Sequence, residues 1–113
     1  MSLHYGFSLW PVRAELKKML VDPGYQELGR MEGIATIAAL LGDADTTLAA
    51  MHRAYVDLAA NNAGDIWFPY KSMRRDPRFK KLLRDLGLVD YWRATGNWGD
   101  YCVPVGKDDF ECQ

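Results

Sequence analysis

"EGIATIAALLGDADTTLAAMHRAY", Glu32 to Tyr55, contains a helix, a stop and the start of a second helix. The apolar run Ile34 to Leu41, with Thr36 inside it, is far shorter than the roughly 20 residues that cross a bilayer, so it reads as one face of a core helix. Gly42 stops that helix. Asp45 is a candidate cap for the next, Thr46 to about Ala60, in which Leu48, Met51, Tyr55 and Leu58 recur on one face.

Upstream, a helix is expected from about Trp10 to Val21, with Pro11 tolerated in its first turn and Leu9, Val12, Leu16, Met19 and Leu20 on its apolar side. Asp22 and Pro23 look like the cap and first position of the helix that reaches Leu41. Gly24, Gly29 and Gly33 each cost that helix about 1 kcal/mol relative to alanine. Either it breaks near Gly29, or the glycines admit a close neighbour.

Downstream, Asn61 to Gly64 carry turn chemistry, and the aromatic stretch GDIWFPYKSM, broken by Pro69, is expected as a turn or short helix against the core. Asp76 and Pro77 start a fourth helix that runs to about Leu86, with Gly87 past its end. A shorter piece covers Val89 to Thr95. Beyond Gly96 the string NWGDYCVPVGKDDFECQ shows no period and is expected as an irregular acidic tail. The fold class expected is all-α, in a single domain over 1–113 with its helical core at about 10–96 and its tail at 97–113. A chain of 113 residues with 49% apolar content fits one core.

Between Lys71 and Arg84 seven cations face one carboxylate, that of Asp76. Lys71, Arg74, Arg75, Arg78, Lys80, Lys81 and Arg84 are therefore candidate binding residues. Trp67, Phe68 or Tyr70 are placed to stack on bases if the ligand is a nucleic acid. With a net charge of -1 there is no global basic field to hold a polyanion, and that reading is the alternative. The preferred one puts Phe79, Leu82, Leu83 and Leu86 against the core and leaves Arg78, Lys80, Lys81, Arg84 and Asp85 as a solvated outer face. The aromatic residues Trp67, Phe68, Tyr70, Tyr91, Trp92 and Trp98 then seal the end of the core.

No residue set points to catalysis. His52 reads as a hydrogen-bonded residue at the edge of an apolar face, and neither it nor His4 has a second ligand at helical spacing. Ser2, Ser8 and Ser72 lie in no nucleophile elbow, and the glycines are too scattered to cradle phosphate. The pairs Asp43 with Asp45 and Asp108 with Asp109 fit capping and solvation. No enzyme activity, cofactor or metal is expected within the chain. Cys102 and Cys112 match no zinc or redox spacing, so reduced thiols in a cytoplasmic protein are expected, with a disulfide across the tail as the alternative. The first ten residues do not follow the secretory-signal pattern.

Small residues at Ala35 and Ala38, the turn Gly42-Asp43, and then Thr47, Met51 and Ala54 resemble a tetratricopeptide (TPR) repeat, in which small side chains let two helices approach closely. Thr47 stands where that family usually has Ala, Ala38 where a large aromatic is frequent, and Ala59 where Pro is usual. A weak internal repeat relates WPVRAELKKMLVDPGY to WFPYKSMRRDPRF. "MRRDPRFKKLLRDLGLVDYWRATGNWGDYC" is similar to the C-terminal end of bacterial multidomain regulators in which TPR-like repeats follow a winged-helix DNA-binding domain or an adenylate or guanylate cyclase domain. The resemblance spans about Glu32 to Cys102. It implies four to five stacked helices forming a non-catalytic interaction or regulatory module, part of a longer signalling protein, whose partner is a protein, a peptide or the parent's own output domain. Neither winged-helix nor cyclase sequence is present in these residues, so neither activity carries over.

Overall fold

In a computed structural model, which describes residues 10–59 and 73–113, α1 spans Trp10–Val21, the bounds that the apolar spacing predicts. Leu16 is buried, with Met19 and Leu20 packed beside it, while Val12, expected on the same face, is exposed. The Asp22 carboxylate accepts from the Gly24 amide at 2.7 Å, but the turn it caps is a single 3₁₀ turn, Pro23–Tyr25. The helix α2 starts only at Leu28 and ends at Leu40, so the helix expected from Asp22 is interrupted just before Gly29, the first of the two alternatives its glycines left open. Gln26 adopts a non-helical backbone, and its amide donates to the carbonyls of Leu20 and Asp22 at 2.9 and 3.0 Å. Those bonds satisfy the open C-terminal end of α1 and turn the chain back. Among the described residues, no atom beyond the helix's own backbone lies within 4 Å of where a Cβ would stand on Gly29 or Gly33, so these glycines serve no close approach to another described helix.

After α2, Gly42 takes the left-handed conformation, φ 75°, and the Asp43 amide closes onto Ala38 O at 2.9 Å. The chain reverses into α3, Ala44–His52, and Ala35, Ala38, Ala50, Met51 and Ala54 are all fully buried in one cluster. The cap is Asp43 rather than Asp45. Its carboxylate accepts from the Thr46 amide at 3.2 Å and the Thr46 hydroxyl at 2.7 Å, because Gly42 sets the reversal two residues earlier than Asp45 requires. The helix runs on as a π-helical turn, Arg53–Asp57, and stops at Ala59, whose φ is 54°. α1 packs against both α2 and α3, and Arg13 Nη2 donates to Leu41 O at 2.8 Å.

Burial by itself raises the pKa of Asp43, but the Thr46 hydroxyl and amide, aided by the charges of Lys17 and Arg13, hold it below the ordinary carboxylate value. A depressed folded pKa gives stability that is present above the unfolded value of about 3.9 and is lost as pH falls through the folded value. Asp43→Ala is expected to cost about 0.5–2 kcal/mol at pH 7, with the gap to wild type narrowing below about pH 4. Thermal melts of the two proteins from pH 7 to pH 2 check this, and a gap independent of pH contradicts it.

The fourth helix follows the Asp-Pro signal. Asp76 Oδ1 accepts from the Arg78 amide at 2.9 Å, Pro77 takes the first position, and α4 runs Pro77–Asp85 with Phe79, Leu82 and Leu83 buried. Gly87 reverses the chain at φ 82° into α5, Leu88–Thr95, which ends at Gly96. α4 packs on α3 and α5. Trp92 is buried and Trp98 partly so, whereas Tyr91, expected in the core, is exposed. The expectations for Trp67, Phe68, Tyr70, Lys71, His4 and Leu9 lie outside the described residues.

The C-terminal segment is not irregular. β1, Cys102–Val105, pairs antiparallel with β2, Asp109–Cys112, in the register Cys102 opposite Cys112 through Val105 opposite Asp109. Gly106, at φ 66°, opens the turn. Cys102 and Cys112 form a disulfide with their Cα atoms 4.1 Å apart, so the expectation of reduced thiols is corrected. Such a bond persists in oxidising compartments and is uncommon in reducing ones. The molecule is thus mainly helical with one small sheet, and among the described residues no helix is long and apolar enough to cross a membrane.

Candidate functional site

The basic residues of α4 and the segment before it separate into two groups. Arg78 is pinned on the α3 side: its guanidinium bonds the Asp76 carboxylate and reaches across to Asp45 in the first turn of α3. These two contacts, that with Asp76 foremost, hold its pKa above the ordinary arginine value. One turn further on, Lys81 binds Asp85, and the same Asp85 oxygen meets His52 Nε2 at 2.8 Å. The Lys81 bond, followed by that of His52, keeps the Asp85 carboxyl below its ordinary value. His52 is the hydrogen-bonded edge residue that its spacing predicts.

The second group turns toward the hairpin. Lys80 Nζ sits 3.1 Å from Asp109 and 3.7 Å from Glu111, and Arg84 lies 3.6 Å from Asp109. Asp109 is held below the ordinary carboxylate range by the Phe110 amide first, then by Lys80. Arg74 is buried: its Nη1 donates to Gln113 O at 3.0 Å, and its guanidinium lies 4.5 Å over the Tyr101 ring. Arg75 is exposed. Trp67, Tyr70 and Lys71 fall outside the described residues.

Between α3 and α4 lies an open groove of about 430 Å³, lined by Asp45, Leu48, Ala49, His52, Arg78 and Lys81. Leu48 and Ala49 make an apolar floor, and the ion pairs form the walls. Ala49 and His52 also line a second depression of about 410 Å³, bounded by Leu20, Val21, Gln26, Arg53 and Asp57, so a shallow trough crosses α3 from α4 toward α1. Among the described residues no three of His, Cys, Asp and Glu converge as a metal-ligand set. The carboxylates of Asp45 and Asp57 are engaged by Arg78 and Arg53, partners within the chain.

No family model, curated protein or solved structure matches this chain.

The site is therefore read from its own geometry. Counted along the chain from Lys71 to Arg84, seven cations stand against the single carboxylate of Asp76. In the fold Asp45, Asp85, Asp109 and Glu111 join it, and much of the apparent excess is spent inside the molecule. The outer face of α4 was expected to be solvated, yet the hairpin covers it in part: the Lys80 side chain is only 19% exposed. Asp45, His52, Asp109 and Glu111 were missed as site residues. Asp45 and Arg78 are 33 positions apart, as are His52 and Asp85, and no local spacing signals such pairs.

Proposed function

We propose that this chain is a non-catalytic protein-interaction module, and that the trough across α3 receives a peptide segment of its partner. The observation that carries the reading is the α3–α4 groove, an apolar floor of Leu48 and Ala49 bordered by His52 and the charged side chains of Asp45, Arg78 and Lys81. Apolar contact supplies affinity in such a groove and the charged walls supply orientation. The closely packed α2–α3 pair gives it a stiff base, because fully buried alanine seams leave little room for adjustment. The resemblance of residues 32–102 to TPR-like regions of bacterial regulators supports the same reading. It adds the output domain of a longer parent chain as a candidate partner. The internal pairing of Arg78, Lys80, Lys81 and Arg84 weighs against a polyanion, since each phosphate contact must first displace a carboxylate.

Selection of displayed peptides on the full chain tests the proposal. A recurring motif is expected, and Ala49→Trp, which fills the exposed groove floor, is expected to weaken its binding at least about tenfold while leaving the circular dichroism spectrum intact. No enrichment over an unrelated helical protein, or equal binding by the variant, overturns the reading.

A further inference from the structure

The hairpin buries few side chains. β1 exposes Val103, Pro104 and Val105, and β2 exposes Asp109 and Glu111, leaving Cys102, Phe110 and Cys112 as the buried residues. Two of those three are the disulfide itself. Among the described residues, what docks the strands is one ring with a carboxylate on each side, and Arg74 holds their far end through Gln113 O. Phe110 sits 6.5 Å from Trp92 and 6.0 Å from Trp98, with Lys80 Nζ 5.5 Å and the Arg84 guanidinium 5.0 Å from its centroid. Asp109 and Glu111 take Lys80, and Asp109 also meets Arg84. Arg93 Nη2 donates to Asp109 O at 2.8 Å and its Nη1 to Gly106 O at 3.4 Å.

This arrangement has the form of a peptide-binding site already filled. An aromatic slot formed by Trp92 and Trp98 is ringed by Lys80, Arg84 and Arg93, and an extended Asp-Phe-Glu segment lies in it, its carboxylates on cations and its backbone carbonyl on an arginine. The surface is separate from the α3–α4 groove and does not depend on the function proposed for it. We infer that the α4–α5 face is a docking site for an extended acidic peptide carrying an aromatic residue between two carboxylates, and that the disulfide-closed hairpin is its resident occupant.

The disulfide decides which occupant holds the site. A two-stranded hairpin is at best marginally stable alone, and closing Cys102 to Cys112 removes the open conformations that compete with the docked one. Cys102 and Cys112 are buried, and Cys112 lies at the edge of an opening of about 190 Å³ that Arg75, Tyr101, Val103, Glu111 and Gln113 also line. A dithiol reductant opens the disulfide by exchange: one reductant thiolate attacks a cystine sulfur and the S–S bond breaks. The second reductant sulfur then displaces the mixed disulfide. The two electrons and two protons end on the Cys102 and Cys112 thiols, and the reductant leaves as its own disulfide. A peptide of the same chemistry then competes with an untethered strand.

The probe is a fluorescein-labelled peptide copying residues 108–112, with serine in place of Cys112, titrated into the full chain by fluorescence anisotropy before and after dithiothreitol treatment. The expected result is at least tenfold tighter binding to the reduced protein, the same gain in Cys102→Ser/Cys112→Ser without reductant, and its loss when the peptide phenylalanine becomes alanine or when Lys80→Glu/Arg84→Glu is introduced. Far-ultraviolet circular dichroism of the reduced wild type is expected to keep its helical signal. Equal affinity in both redox states, no binding in either, or helical unfolding on reduction overturns the inference. So does a reduced protein that takes a DNA duplex in preference to the peptide.

Discussion

Phe79→Ala is expected to remove about 3–5 kcal/mol of stability, measured as a shift in the urea midpoint followed by circular dichroism. Phe79 is fully buried in the first turn of α4, with Leu82 and Leu83 beside it in the same cluster. Truncation loses the transfer energy of the ring and leaves a cavity that only partial relaxation can refill. A domain of this size has about 5–15 kcal/mol in total, so the variant sits near the edge of folding. The opposite face of α4 contributes little by comparison, because the Lys81–Asp85 pair is largely exposed on its lysine side and solvent screens it. A loss below about 1 kcal/mol for Phe79→Ala means that α4 is not the core helix described here.

The dipeptide Asp-Pro occurs twice, and the two outcomes show what local sequence can and cannot decide. At Asp76–Pro77 the residues that follow are Arg78, Phe79, Lys80 and Lys81, and the cap opens a full helix. At Asp22–Pro23 the cap hydrogen bond forms just as well, but Gly24 and Gln26 follow, and the helix stops after one turn. The cap signal marks a start, and the residues behind it determine the length. The bounds of α1 and the buried faces of α3 and α4 were legible because each is repeated over several turns. The hairpin was not: its strands are four residues each, and within β1 only Cys102 points inward, so no alternation accumulates. The candidate site was legible only in its cations. Its carboxylate partners come from α3, the end of α4 and the hairpin, and charge balance across elements is settled by the fold, not by any window of sequence.

Met51→Ala is expected to cost about 2–5 kcal/mol, in the upper half of that range, and urea denaturation measures it. Met51 is fully buried in a cluster that also holds Ala35, Ala38, Ala50 and Ala54, all without exposed surface. Alanine has no side-chain rotamer with which to swing into a void, so a cavity at this position stays open unless the helices themselves move. Helix movement is opposed by the tight reversal at Gly42 and by the Asp43 cap, which fixes the start of α3 through Thr46. Met51→Leu keeps the volume and is expected to lose under about 1.5 kcal/mol. The two variants together separate a packed seam from a loose one: similar small losses for both mean that α2 and α3 adjust freely. In that case α3 does not give the Leu48–Ala49 groove a stiff base. A large loss confined to the alanine variant means that the seam holds α3 in place, and with it the groove that α3 shares with α4.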